Sequence, residues 1–213
     1  MKENENPGTG SVMVAGKLIL RELSHHAPFT LFGALTGVLL MALSTSALGS
    51  LEHEFIFHSL HSLHLFLSAI VTTAIFRKYE RRIREAVVVG FFGSVAICTL
   101  SDIFLPYVGG RVLGIPTHMH LCLIEHPWLV LPGVFLGVWL GIRRPRTELP
   151  HAGHVLVSTY ASAFYLTSFG TPTGWISLLP LVFPILFVAV WLPCCTSDFI
   201  FPLLFCRTRK RVS

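Results

Sequence analysis

The sequence predicts an all-α, polytopic membrane protein whose six transmembrane helices form a 3+3 inverted-topology repeat, and three observations predict it. The 213 residues are 53% hydrophobic and only 13% charged, with a mean hydropathy of +0.68, more apolar than a domain whose surface faces water. Six apolar runs, at about 27–48, 59–76, 86–108, 127–142, 153–170 and 178–206, approach the roughly 20 residues a helix needs to cross a bilayer core. Finally, polar residues inside those runs recur in the same order in both halves of the chain.

Residues 1–24 read as a cytoplasmic N-terminus ending in an amphipathic stretch, "GKLILREL", suited to the membrane interface. The polar start "MKENENPGTG" lacks the layout of a cleavable signal peptide, so the first span is expected to be retained. Residues 25–110 then form repeat 1, residues 111–206 repeat 2, and residues 207–213 a basic cytoplasmic tail.

The first span of each repeat aligns His26, Gly33, Gly37 and Val38 with His126, Gly133, Gly137 and Val138, at an offset of 100. The glycines make G-x-x-x-G motifs, which allow close helix approach. The second spans share H-x-x-H-x-x-x-S: His61, His64 and Ser68 match His151, His154 and Ser158 at an offset of 90, and Thr72 answers Ser162. The third spans share C-x-x-S-D-x-x-x-P: Cys98, Ser101, Asp102 and Pro106 match Cys194, Ser197, Asp198 and Pro202 at an offset of 96. Three spans per unit force the second copy to run through the bilayer in the opposite sense, an architecture common in secondary transporters. Proline removes a helix hydrogen bond, so broken or re-entrant helices are expected around Pro106 and Pro202.

Charge gives the orientation. Fifteen of the sixteen Lys and Arg residues fall on one side of these spans and only Arg111 on the other. By the positive-inside rule both termini are cytoplasmic, and the plasma (inner) membrane is the expected location. The net charge of +5 then reflects topology and contact with anionic lipid. No basic cluster is interleaved with aromatics, which excludes nucleic acid as a partner. Four of the five cysteines, Cys98, Cys194, Cys195 and Cys206, fall inside or at the ends of spans, and no disulfide framework is expected. A homodimer is compatible with so small a chain, although no interface declares itself.

An intramembrane Asp costs roughly 2.5–3.5 kcal/mol on insertion scales and turns toward a partner or a cavity. The repeat therefore predicts two polar gates: an outer one with His61, His64, Asp102 and His126, and an inner one with His26, His151, His154 and Asp198. Ser68 and Ser158 lie one turn beyond each His pair, while Cys98 and Cys194 supply thiols. Imidazole, thiolate and carboxylate suit borderline metals such as zinc, nickel or cobalt. The expected metal set is His61, His64, Asp102, Cys98, His151, His154, Asp198 and Cys194, with the divalent metal as cargo and no tightly bound cofactor.

These features point to a small alternating-access transporter of a divalent transition metal. The competing reading is a proton-coupled transporter or flippase of a small anion or lipid phosphate, using His as the titrating group. Bis-His haem binding is a weaker reading, because its ligands belong mid-span on facing helices and the H-x-x-H pairs sit at span starts. A membrane hydrolase is weaker too, because no nucleophile elbow or zinc-protease motif is present and no catalytic residue is assigned. Two further clusters are read by position: His53 and His58 in "EHEFIFH" as a solvated outer loop or cation-collecting mouth, and His118 and His120 as interfacial or metal-catching.

Overall fold

The computed structural model of the chain describes residues 7–143, 148–171, 174–195, 201 and 205; at 7–22, 25, 26, 148–152 and 195 only the backbone is described. Within these residues the chain is helical: α1 (Pro7–Ala47), α2 (Ser50–Tyr79), α3 (Ile83–Thr99), α4 (Leu105–Val112), α5 (Cys122–Glu125), α6 (Pro127–Arg143), α7 (Glu148–Phe169) and α8 (Trp175–Cys195). A π-helical turn, Leu100–Phe104, joins α3 to α4 without a break. Four helices are long and apolar enough to cross a membrane: Ala27–Ala47, Ser50–Tyr79, Ile83–Val112 and Trp175–Cys194. α6 is apolar but has 17 residues, and the 22 residues of α7 include five Ser or Thr and two His.

Burial is inverted relative to a water-soluble protein. Leu51 and Ile176 are each 79% exposed, whereas His61, His64, His154 and Asp102 are at most 1% exposed. A chain that turns Leu and Ile outward and imidazole and carboxylate inward is arranged for a hydrocarbon solvent.

α2 is the central helix and packs against α3, α6 and α7; α1 lies along α7 and α8, and α6 along α2 and α3. Glycines make two of these contacts close. A Cβ on Gly33 of α1 would lie 3.3 Å from Leu156 Cδ2 of α7, and one on Gly37 would lie 3.7 Å from Thr159 of the same helix. On the other side, Gly133 and Gly137 of α6 lie against Phe66 of α2, and Gly137 also against Ala69.

The helix boundaries differ from the sequence reading in several places. The "EHEFIFH" segment, expected as a loop, forms the first turns of α2. Gly49 is the N-cap, and nothing after Ser50 breaks the helix before Tyr79. His53, now on the helix, is buried and pairs through Nε2 with Ser44 Oγ of α1 at 3.1 Å. The segment expected at the interface is continuous with the first span, and Pro28 is accommodated inside α1. Pro106 follows a π-turn instead of a break. α8 contains Pro180, Pro184 and Pro193 and remains one helix through Cys195, while Pro202 lies outside the described residues. The segment between α4 and α6 is tied to the end of α7 by an isolated bridge between Thr117 and Gly170. There the His118 N–H donates to Phe169 O at 3.2 Å and the Thr171 N–H to Pro116 O at 3.0 Å.

Close helix approach yields a contrast between two glycines. A Cβ on Gly141 of α6 would stand 2.7 Å from the Ile70 backbone oxygen, whereas one on Gly153 of α7 would meet only Leu67 Cδ1 at 3.8 Å. Gly141→Ala is expected to lower stability by about 1–3 kcal/mol through overpacking, and Gly153→Ala to be neutral or better. Chemical unfolding of the two variants in detergent checks this.

Candidate metal centre

The organising group is Asp102, a carboxylate 0% exposed among apolar helices. Desolvating a charge is costly unless donors replace its water, and here four do. His61 and His64, three residues apart on α2 and so on one helix face, place their Nδ1 atoms 2.9 and 2.7 Å from Oδ2. Ser101 and Ser158 hydroxyls donate to Oδ1, each at 2.7 Å. The donors come from α2, the π-turn and α7, so a single side chain ties three segments together.

The π-turn explains how the carboxylate is presented. In α-helical register the Leu105 N–H would bond the Ser101 carbonyl, but it bonds Leu100 O. The following N–H, that of residue 106, does not exist because the residue is proline. The Ser101 carbonyl is thereby available, and Ser162 Oγ of α7 donates to it at 3.0 Å while also lying 2.8 Å from Ser158 O. π-turns of this kind cluster at functional sites.

Two thiols extend the network. Cys98 Sγ lies 3.7 Å from His64 Nε2, and Cys194 Sγ of α8 donates to Ser158 Oγ at 3.6 Å. Across the α2–α7 contact the rings of His64 and His154 stack in parallel, with centroids 5.6 Å apart and planes 6° apart. His64, His154 and Cys194 offer ligand atoms all within 4.8 Å of one another, each from a buried residue.

These three side chains could hold a metal ion, and His64 already has an orienting partner in Asp102. Because His64 Nδ1 donates to a carboxylate, its Nε2 carries the lone pair, the arrangement by which carboxylates orient metal-binding imidazoles. Two imidazoles and one thiolate suit zinc and its neighbours, with a fourth position available to water or cargo. Tetrahedral zinc separates such donors by roughly 3.3–3.6 Å, so closure requires an inward movement of about 1 Å at most.

Set beside the sequence reading, the structure groups the residues differently. His61, His64 and Asp102 come together, and Cys98 joins them. His126 does not: its ring lies 4.9 Å from that of His58, 5.4 Å from that of His120 and 5.3 Å from that of Trp128. His154 and Ser158, the latter one turn beyond His154 on α7, meet the His64–Asp102 group, so residues expected at separate gates share one centre. The cause is the early start of α2 at Ser50, which puts His64 about 21 Å along the helix and thus deep in the bundle. Ser68 is buried, with no hydrogen-bond partner among the described residues. The side chains of His26 and His151, and the whole of Asp198, lie outside the described residues.

Ser101 was present in the repeated patterns but had no assigned role. A second cluster was not assembled in sequence: His58 Nε2 lies 3.0 Å from His120 Nε2, and His120 Nδ1 lies 2.8 Å from Glu125 Oε2. Burial holds His120 below the ordinary imidazole value despite the Glu125 carboxylate beside it. Burial also pushes the neighbouring Cys122 thiol up to about 12.

Comparison with protein-family models, curated proteins and solved structures finds no match to this chain.

Removing donors around Asp102 should be graded in effect. Ser158→Ala leaves Oδ1 with Ser101 and is expected to cost about 1–3 kcal/mol. Asp102→Ala strands donors on three segments and is expected to cost about 3–5 kcal/mol. Thermal unfolding in one detergent ranks them, and an Asp102→Ala protein as stable as wild type would show that the carboxylate anchors nothing.

Proposed function

We propose that the chain is a small secondary transporter of a divalent transition metal, and that the buried His64–His154–Cys194 group is where the ion is held midway. The observation that carries this reading is a three-donor set, from α2, α7 and α8, with one imidazole already oriented by a fully hydrogen-bonded carboxylate. Zinc, nickel and cobalt are the cargo best suited to imidazole and thiolate together. An arriving ion exchanges hydration for His64 Nε2, a His154 nitrogen and Cys194 Sγ, and the Cys194 thiol loses its proton as the metal bond forms. Reprotonation of that thiol favours release, which couples metal movement to protons.

The same reading takes α1–α4 and α6–α8 as two inverted halves, with six crossings and both termini cytoplasmic. Helix contacts support it, because the exchange of α1 with α6, α2 with α7 and α3 with α8 maps the observed neighbours onto one another. The glycine contacts agree in detail: Leu156 and Thr159, which meet Gly33 and Gly37, are offset by 90 from Phe66 and Ala69, which meet Gly133 and Gly137. His64 and His154 are themselves a pair at that offset and stack on one another, which supports a metal set at the junction of the two halves. In this scheme α2 and α7 form the interface at which inward and outward access alternate.

One observation favours a second reading. The contacts from Cys98 through His64, Asp102 and Ser158 to Cys194 form a continuous hydrogen-bonded chain, which suits a proton path in a carrier of some other cargo.

Transport assays separate the two. In proteoliposomes containing a metal-sensitive dye, wild-type protein is expected to carry zinc or cobalt with a rate that depends on the pH gradient. Cys194→Ser and His154→Ala are expected to abolish metal binding at the buried centre together with flux, and Asp102→Asn to weaken affinity at that centre by about 10–100-fold, as loss of an orienting partner does. Variants that bind metal as wild type does but lose proton-driven flux would support the proton path. Wild-type vesicles that move no metal would overturn the metal reading.

A further inference from the structure

We propose that a second transition-metal site lies at the end of the bundle where α2 begins, with His58 Nε2 and His120 Nε2 as its core ligands and Cys122 Sγ as the third. The site stands on its own geometry and does not require that the buried centre bind metal.

The positions of the imidazole protons define the site. His58 Nδ1 lies 2.8 Å from the Glu54 backbone carbonyl. A carbonyl oxygen only accepts, so that nitrogen carries hydrogen. His120 Nδ1 lies 2.8 Å from a carboxylate oxygen of Glu125 and donates in the same way. A neutral imidazole has one N–H, and both rings have placed theirs on Nδ1. The two Nε2 atoms therefore face each other at 3.0 Å with a lone pair each. Two acceptors at that distance repel unless a proton or a metal ion lies between or beside them, and the thiol nearby favours the metal. Tetrahedral zinc holds imidazole nitrogens roughly 3.3 Å apart, close to the observed separation.

The surroundings match what a metal requires. Both ligands have their supporting partner, a backbone carbonyl for His58 and a carboxylate for His120, which are the partners that fix metal-binding tautomers. Cys122 is buried, and its sulfur lies within 4.8 Å of the ligand atoms of His58 and His120. Glu54 and His126 form a further group with His58, so that acids and a third imidazole surround the pair. The His120 ring stacks on Phe169, with centroids 4.5 Å apart, which holds it in place.

Phe57 separates this cluster from the buried centre. Its ring stacks on His61 with centroids 5.6 Å apart and touches the His58 and His120 rings at 5.3 and 6.4 Å. From His58 to His64 is about 9 Å along α2. If the transport reading holds, the outer site is where an ion waits before passing Phe57.

Zinc and cobalt(II) titrations of the purified full chain in detergent test the proposal. Cys194→Ser protein, from which a ligand of the buried centre has been removed, is expected to retain one bound zinc. That zinc is expected to be lost with a further His58→Asn or His120→Asn substitution. In the same background cobalt is expected to give a thiolate-to-metal charge-transfer band that disappears in Cys122→Ser, a near-isosteric change. Zinc stoichiometry unchanged by His58→Asn and His120→Asn, or a cobalt band indifferent to Cys122→Ser, would overturn the outer site. One zinc in wild type that is lost in Cys194→Ser would overturn it while leaving the buried centre intact. Zinc lost with His120→Asn but unaffected by Cys194→Ser would support the outer site and count against the buried one.

Discussion

Everything in the interior is arranged around the need to keep one carboxylate, Asp102, hydrogen-bonded away from water. Two imidazole N–H groups and two hydroxyls converge on its oxygens, and they arrive from three segments far apart in sequence. The carboxylate has its full set of donors only when those three segments meet. Its requirement for donors thus fixes the rotation of α2, the offset of the π-turn and the register of α7 together. The orientation of His64, with Nδ1 committed and Nε2 turned toward the thiol of Cys98, follows from the same constraint.

The hydrocarbon-facing exterior makes this constraint effective. Leu and Ile side chains outside gain nothing by packing inward when the solvent is as apolar as they are. Polar interactions and close backbone approach then have to hold the helices together. The glycine-lined contacts of α1 on α7 and of α6 on α2 provide the second of these, and the Asp102 network provides the first. α2 takes part in both, which explains its central position.

Composition and periodicity made the all-helical, membrane-type class legible, because apolar runs of that length have few other uses. Repetition of His, Ser, Asp and Cys identified most of the residues that meet in the interior. Their assembly was less legible. The start of α2 was hidden by "EHEFIFH", whose charged and imidazole side chains read as a loop although nothing in them breaks a helix. That error of two turns placed His61 and His64 too near a surface, and so apart from His154. The π-turn had only Pro106 as a local signal, and proline is equally compatible with a kink or a break; the deciding partner, Ser162, lies 61 residues from Ser101. The meeting of His58 with His120 depends on the path of the loop between α4 and α6, for which spacing offers no guide.

The central claim, that α2, α7 and α8 hold a metal ion between the two related histidines, is tested most directly by anomalous diffraction from crystals saturated with zinc. The account predicts a peak bonded to His64 Nε2, a His154 nitrogen and Cys194 Sγ, at about 2.0–2.3 Å from each. Zinc-saturated crystals with clear density for these three side chains and no anomalous peak between them would contradict it.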